Sequence, residues 1–234
     1  MTTMKKIANE FSLVGCVNRA LDTPREKREI TSWHASGFGS CPTGRYLERL
    51  GVEPDEPFDQ RTLRVFSAGT KFEEWMIELA LKGLPDAQIS LTQQVRVEIG
   101  DWGVSGYADA VVDVSGERIV YEIKSKHSRA FHWMEKMGEG AMRQHQMQVW
   151  LYLHGLGIEE GRILYVSKDD LCMLEYPVYH SDGELSAEVA NEVSLLNRAW
   201  EAKLPPRPIE DPKAWQNKYC RFHKQCLAQE KYLS

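Results

Sequence analysis

Long apolar runs are missing from this chain of 234 residues, and none approaches the roughly 20 residues that a bilayer-crossing helix needs. The opening stretch MTTMKKIANEF also lacks the apolar segment of a secretory leader, so a cytoplasmic protein without a membrane association is expected. Basic bias is missing too: 29 Lys and Arg stand against 34 Asp and Glu, a formal charge of −5. That balance does not announce a nucleic-acid binder, although a local basic groove can sit on an acidic surface. Cysteines are few, odd in number at five, and show no framework spacing, which excludes a disulfide scaffold and favours reduced or metal-bound thiols. Internal repeats and low-complexity tracts are absent. What remains is a chain with 42% hydrophobic residues, ample for a core.

The pattern along the chain alternates between helix and strand. Ser36 to Leu50 has a Ser/Gly-rich entry and then helical spacing, with Pro42 tolerated in the first turn. Phe72, Trp75, Met76, Leu79 and Ala80 recur at helical spacing, which predicts a helix from about Ser67 to Leu81. From Ile89 three strands follow in antiparallel succession, ISLTQQVRVEIG, GVSGYADAVVDV and ERIVYEIKSK, with Ser115-Gly116 as the turn between the last two. Residues 129–137 read ambiguously, Ala141 to His154 as a strong helix, RILYVSK and CMLEYPVY as strands, and Glu184 to Lys203 as a helix. LPPRPIEDP is the one clear linker, followed by an aromatic, basic tail. This order predicts an α/β domain with one mixed sheet flanked by helices. The expected division is an N-terminal extension (1–35), a core (36–204) and a cysteine-bearing tail (205–234).

The strand ERIVYEIKSK carries Glu122 and Lys124 on one face. If Ser115 and Gly116 form a two-residue turn, Val114 pairs with Glu117, and Asp109 then lies opposite Glu122. Two like charges directly across a hairpin destabilise it unless a cation lies between them. A divalent ion with a taste for oxygen, Mg²⁺ or Mn²⁺, resolves the conflict; a solvated Glu/Lys face is the alternative. Asp113 shares the face but sits beside the turn, where Asp is common for local reasons.

Gly106-Tyr107-Ala108-Asp109 followed by Glu122-Ile123-Lys124 resembles the Gly-x-x-Asp…(Asp/Glu)-x-Lys signature of the PD-(D/E)XK nuclease superfamily, in its RecB-like branch. Gly69-x-x-x-Glu73 upstream and Gln148-x-x-x-Tyr152 downstream are similar to that branch's flanking helical motifs, and RILYVSKDD to the strand that follows. The resemblance implies a restriction-endonuclease-like core, with Asp109, Glu122 and the carbonyl of Ile123 as metal ligands and Glu73 as a further carboxylate, where His is the commoner residue. It makes Lys124 the catalytic lysine, with Gln148 and Tyr152 contacting the DNA backbone or bracing that lysine. Lys126, His127 and Arg129 would bind phosphates or form a solvated basic loop.

Cys41-Pro42 resembles the element that opens the CRISPR-associated RecB-like nucleases, which hold a [4Fe-4S] cluster with that cysteine and three more near the C-terminus. Cys220 and Cys226 match two of those three, and Asn217 stands at the third. With His223, the set Cys41, Cys220, His223 and Cys226 alternatively suits Zn²⁺. Either ion would pin the tail to the Cys41 region. Cys16 and Cys172 read as small buried hydrophobes. The resemblance implies a metal-dependent nuclease acting on DNA ends or single-stranded overhangs, within a CRISPR, phage-recombination or repair context that can include a protein partner. The alternative is a DNA-binding or assembly subunit with a vestigial site.

Overall fold

The computed structural model describes residues 12–22, 29–85, 88–207, 209, 211 and 214–230. Of the stretch expected as an N-terminal extension, residues 1–11 and 23–28 lie outside the described residues. Its last part does not: Trp33 and His34 form a short strand, β1, and Trp33 is buried in the main core.

The centre is a meander, β2 (Ile89–Ile99), β3 (Val104–Val114) and β4 (Glu117–Lys126), continued by β5 (Glu160–Ser167) parallel to β4 and β6 (Met173–Tyr179) antiparallel to β5. The sheet is therefore mixed, as the element order requires. The turn between β3 and β4 has positive φ at both Ser115 (56°) and Gly116 (95°), which matches the right-handed twist of a tight hairpin and sets the pairing Val114 to Glu117. Asp113 accepts the N–H of Gly116 at 2.8 Å, a local turn duty.

One edge of β3 is shared by two partners. Its first residues pair with β1 (Trp33 to Val104, His34 to Ser105) and its last five with β4 (Ala110 to Tyr121 through Val114 to Glu117). Beyond Tyr121, β4 keeps its ladder with β5 alone. Residues 106–109 are thus left facing a wedge between diverging strands. Opposite them β2 bends: Gln94, across from Asp109, has φ of 52°. The faces of both strands exchange there. Leu91 packs with Ile77 and Ile123 on one side, whereas Val97 and Ile99 of the same parity join the main core on the other. A left-handed residue inside a strand breaks the two-residue alternation, and here it re-aims Asp109.

Helices cover both sides. α1 (Leu13–Leu21) precedes β1; α2 (Pro42–Arg49) starts with proline in its first turn. α3 (Gln60–Lys82) begins earlier than the apolar periodicity indicates, because Asp59 caps it by accepting the N–H of Thr62 at 2.6 Å. It crosses β4 through a small cluster of Ile77, Ile123 and Val166, with Phe72 and Met76 beside it. Residues 128–137 resolve as α4 (Ser128–Met137), ended by Gly138 in the left-handed region. α5 (Arg143–Leu156) lies on the opposite face with Met147 to Leu153 all buried, and α6 (Gly183–Ala202), capped by Asp182, packs on α5. The tail forms α7 (Trp215–Lys218) and α8 (His223–Glu230). Among the described residues no helix is long and apolar enough to cross a membrane.

Two expected core positions are corrected. Cys172 is exposed, because β6 begins only at Met173 and Leu171, with φ of 62°, turns the chain just before it. Cys16 is half-buried on α1, whose residues include no buried one, and its Sγ accepts from Arg19 at 3.2 Å.

Candidate active site

The wedge leaves backbone groups without ladder partners, and side chains take their place. Asp109 Oδ2 accepts the N–H of Ile123 at 2.7 Å, bridging the two strands where they part. The Ile123 side chain meanwhile packs under α3 beside Ile77 and Val166. On the other side of the wedge the Tyr152 side chain lies against the backbone of residues 106–107. Gly106 is required by that contact: a Cβ there would fall 2.8 Å from Cε1 of Tyr152 and 3.2 Å from Cβ of Ala35. The glycine and the aspartate of Gly-x-x-Asp are thus the two ends of one opening, and the tyrosine of Gln-x-x-x-Tyr fills it.

Glu122 is 1% exposed. Its Oε1 accepts from Nε2 of Gln148 at 2.7 Å and from the ammonium of Lys124. Its Oε2 is buried with no hydrogen-bond partner. Burial, with Asp109 and Glu73 nearby, pushes the carboxyl up to about 8 despite the opposing pull of Lys124. Gln148, 4% exposed, donates from the same Nε2 to Tyr152 at 2.8 Å, so it joins the wedge-filling tyrosine to the strand carboxylate rather than facing water.

Glu73 reaches the wedge from α3, one helical turn after Gly69, where the helix passes over Ser125. Burial first, then the adjoining Asp109, push Glu73 up to about 7. Asp109 itself is raised, chiefly by burial. Burial pulls Lys124 down, but the carboxylates of Glu122, Asp109 and Glu73 outweigh it and hold the ammonium above its ordinary range. The structure therefore brings Glu73, Asp109, Glu122, Lys124, Gln148 and Tyr152 into one constellation. Its three carboxylates are not a single tight group: among the described residues only two sets of three ligand-type atoms lie within 4.8 Å of one another, and these are elsewhere. Glu122 is drawn instead toward Lys124 and Gln148.

Three neighbours escape sequence reasoning. Gln94 donates to Glu73 Oε1 at 2.6 Å, and its only signal was a polar pair inside an alternating strand. His145 contacts the hydroxyl of Tyr165 at 2.7 Å; burial first, then Lys124 and Lys126, push it down to about 3 and keep it neutral. Tyr165 reads as an ordinary core residue in sequence.

The second constellation lies at the start of α2. The Sγ atoms of Cys41, Cys220 and Cys226 fall within 4.8 Å of one another, with Cys220 to Cys226 at 3.9 Å. Gly44 makes the approach feasible, since a Cβ there would stand 2.8 Å from the Cys220 sulfur. Hydrogen bonds from the other two thiols pull Cys41 down to about 3, while Cys220 is raised to about 11 and Cys226 further. His223 is not part of this group. Asn217 serves the backbone instead, its Nδ2 donating to the carbonyls of Ile209 and Asp211 at 2.8 and 2.7 Å and so holding the linker.

No protein-family model and no curated protein sequence matches the chain. Solved structures do. The crystal structure of SSO0001 is 17% identical with a TM-score of 0.55, covering 94% of this chain and 98% of that one. The alkaline exonuclease LHK-Exo from Laribacter hongkongensis is 14% identical with a TM-score of 0.54, over 88% of this chain and 96% of its own. LHK-Exo in complex with dAMP gives 17% and 0.55, over 75% and 90%. At these identities the likeness is one of fold. The chain shares with these structures its mixed α/β fold, a central mixed sheet flanked by helices.

Proposed function

We propose that this chain is a metal-dependent deoxyribonuclease that hydrolyses phosphodiester bonds at DNA ends or single-stranded overhangs. The observation that carries the reading is the partnerless, buried Oε2 of Glu122, set among Asp109, Glu73 and Lys124. A buried carboxylate oxygen without a donor is costly, and a hard divalent cation satisfies it with the ligand type it prefers. The donor set is all oxygen, which fits Mg²⁺ or Mn²⁺.

Asp109, Glu122 and the Ile123 carbonyl would hold the ion, with Glu73 as a further carboxylate. When bound, the metal supplies a water of lowered pKa and positive charge for the transition state. Lys124, kept charged by the surrounding carboxylates, would orient the attacking water and meet the negative charge that develops on the phosphoryl oxygens. Gln148 holds Glu122 in place, and Tyr152 keeps the wedge open. The RecB-like assignment, with the CRISPR-associated nucleases among its relatives and a recombination protein as the kind of partner, rests on the flanking motifs and the Cys41-Pro42 element.

The thiol trio is read as a structural metal site that ties the tail (205–234) to α2. Two thiolates on one zinc ion, at Zn–S of about 2.3 Å, stand about 3.8 Å apart, close to the Cys220 to Cys226 separation. A cubane cluster spreads its cysteine sulfurs more widely, so the spacing favours the single-ion reading.

The test is a cleavage assay with Mg²⁺ or Mn²⁺ on linear, circular and single-stranded DNA. Degradation of linear and single-stranded forms with closed circles spared is expected. No cleavage of any form with either metal sinks the proposal and favours the assembly-subunit reading.

A further inference from the structure

α4 leaves β4 directly after Lys126 and His127, and the turn between β5 and β6 lies against it. The Ser128 N–H donates to Asp169 Oδ2 at 2.9 Å, and one turn further along α4 the ring of His132 reaches Asp170. We propose that His132, Asp170 and Cys172 form a binding site for a zinc-class divalent cation, made of residues that belong to neither the carboxylate site nor the thiol trio.

A ring nitrogen of His132, a carboxylate oxygen of Asp170 and the sulfur of Cys172 all lie within 4.8 Å of one another. Ligands on a tetrahedral zinc ion stand about 3.3–3.8 Å apart, given bonds of about 2.0–2.3 Å, so the ion would replace the 2.6 Å hydrogen bond between His132 and Asp170, which small side-chain rotations at an exposed site open to that spacing. The imidazole is already oriented. Its Nδ1 meets Glu135 Oε2 at 3.1 Å while Nε2 faces Asp170 Oδ2 at 2.6 Å. A carboxylate on the far nitrogen is the usual device that fixes the tautomer and turns the near nitrogen toward a metal.

The turn is shaped for the same purpose. Leu171 holds φ of 62°, a strained conformation for a residue with a branched side chain, and this places Asp170 and Cys172 side by side. The Cys172 N–H donates to Asp170 Oδ1 at 3.3 Å, which leaves Oδ2 turned to His132. Nitrogen, oxygen and sulfur donors together suit zinc and exclude magnesium, which does not take a thiolate. Three protein ligands leave a fourth position for water. The ion would clip α4 to the β5–β6 turn, next to the end of β4 where Lys126 pairs with Ser167. It would thereby fix the segment carrying Lys126, His127 and Arg129.

The experiment titrates the reduced, metal-free full chain with Co²⁺ and Zn²⁺ against a chromophoric chelator. Cys172 and His132 are exposed, so Cys172→Ala and His132→Ala should leave the circular dichroism unchanged. The unaltered chain is expected to bind one more equivalent than either variant, and Cys172→Ala to lose a thiolate-to-cobalt absorption. Glu135→Gln is expected to weaken that equivalent about 10- to 100-fold. Cys41→Ser and Asp109→Asn should both retain it, which separates this site from the other two. Equal binding by the unaltered chain and both alanine variants, or loss of all binding in Cys41→Ser, overturns the proposal.

Discussion

Asp109 and Ile123 are joined by a carboxylate-to-amide hydrogen bond of 2.7 Å at the point where β3 and β4 part. The same side chain that closes the strand ends thus belongs to the proposed metal-binding set, and the two duties are separable. Asp109→Asn can still accept the Ile123 N–H through its amide oxygen, so it should fold normally while losing metal-dependent cleavage. Asp109→Ala leaves a buried N–H without a partner, which costs about 1–3 kcal/mol in addition. Urea denaturation of the two variants, beside a cleavage assay, reads the difference.

Gly106 and Tyr152 test the wedge itself. Gly106→Ala places a methyl 2.8 Å from the tyrosine ring, and overpacking of this kind costs about 1–3 kcal/mol. Tyr152→Leu should relieve that strain. The double variant is therefore expected to be more stable than the sum of the two single losses, by an amount that a double-mutant cycle measures. Simple additivity would mean that the two residues do not meet.

The metal-free site should make the protein sensitive to alkaline pH. Glu122 titrates near 8 when folded and near the ordinary glutamate value of about 4.3 when unfolded, so between these values the native state holds the extra proton. Stability from this group is accordingly lost as pH rises through that window. Glu122→Gln removes the loss. In chelator, the melting temperature of Glu122→Gln minus that of the unaltered chain should grow from pH 5 to pH 8.5. Added Mg²⁺ should raise the unaltered chain alone. A flat difference across that range contradicts the buried, cation-seeking carboxylate.

The thiol trio makes a prediction of composition. Protein purified without oxygen should carry about one zinc and little iron or sulfide, and Cys226→Ala should lose that zinc together with protection of the tail from proteolysis. Iron and sulfide in place of zinc would contradict the single-ion reading and favour a cluster.

Much of the site was legible because its parts are local. The Ser115-Gly116 turn fixes the register of β3 and β4, and helical spacing brings Gln148 and Tyr152 together on one face. The wedge was not legible, since it arises where β4 exchanges β3 for β5, a choice settled by distant chain. For that reason the expected direct opposition of Asp109 and Glu122 becomes an Asp109 bond to the next residue's amide. Gln94 was hidden because a left-handed residue in the middle of a strand breaks the alternation by which strands are read. Cys172 misled because an apolar neighbourhood in sequence conceals a turn whose left-handed residue, Leu171, is neither Gly nor Asn.

Lys124 is the residue on which the central claim turns, since its ammonium lies among all three carboxylates. The direct measurement is the single-turnover rate of Mg²⁺-dependent cleavage of linear DNA by the unaltered chain and by Lys124→Ala, with folding of both checked by circular dichroism. Loss of at least about 10³-fold in rate with an intact fold is expected, in line with removal of one group that stabilises transition-state charge. Undiminished cleavage by Lys124→Ala would contradict the assignment of this site.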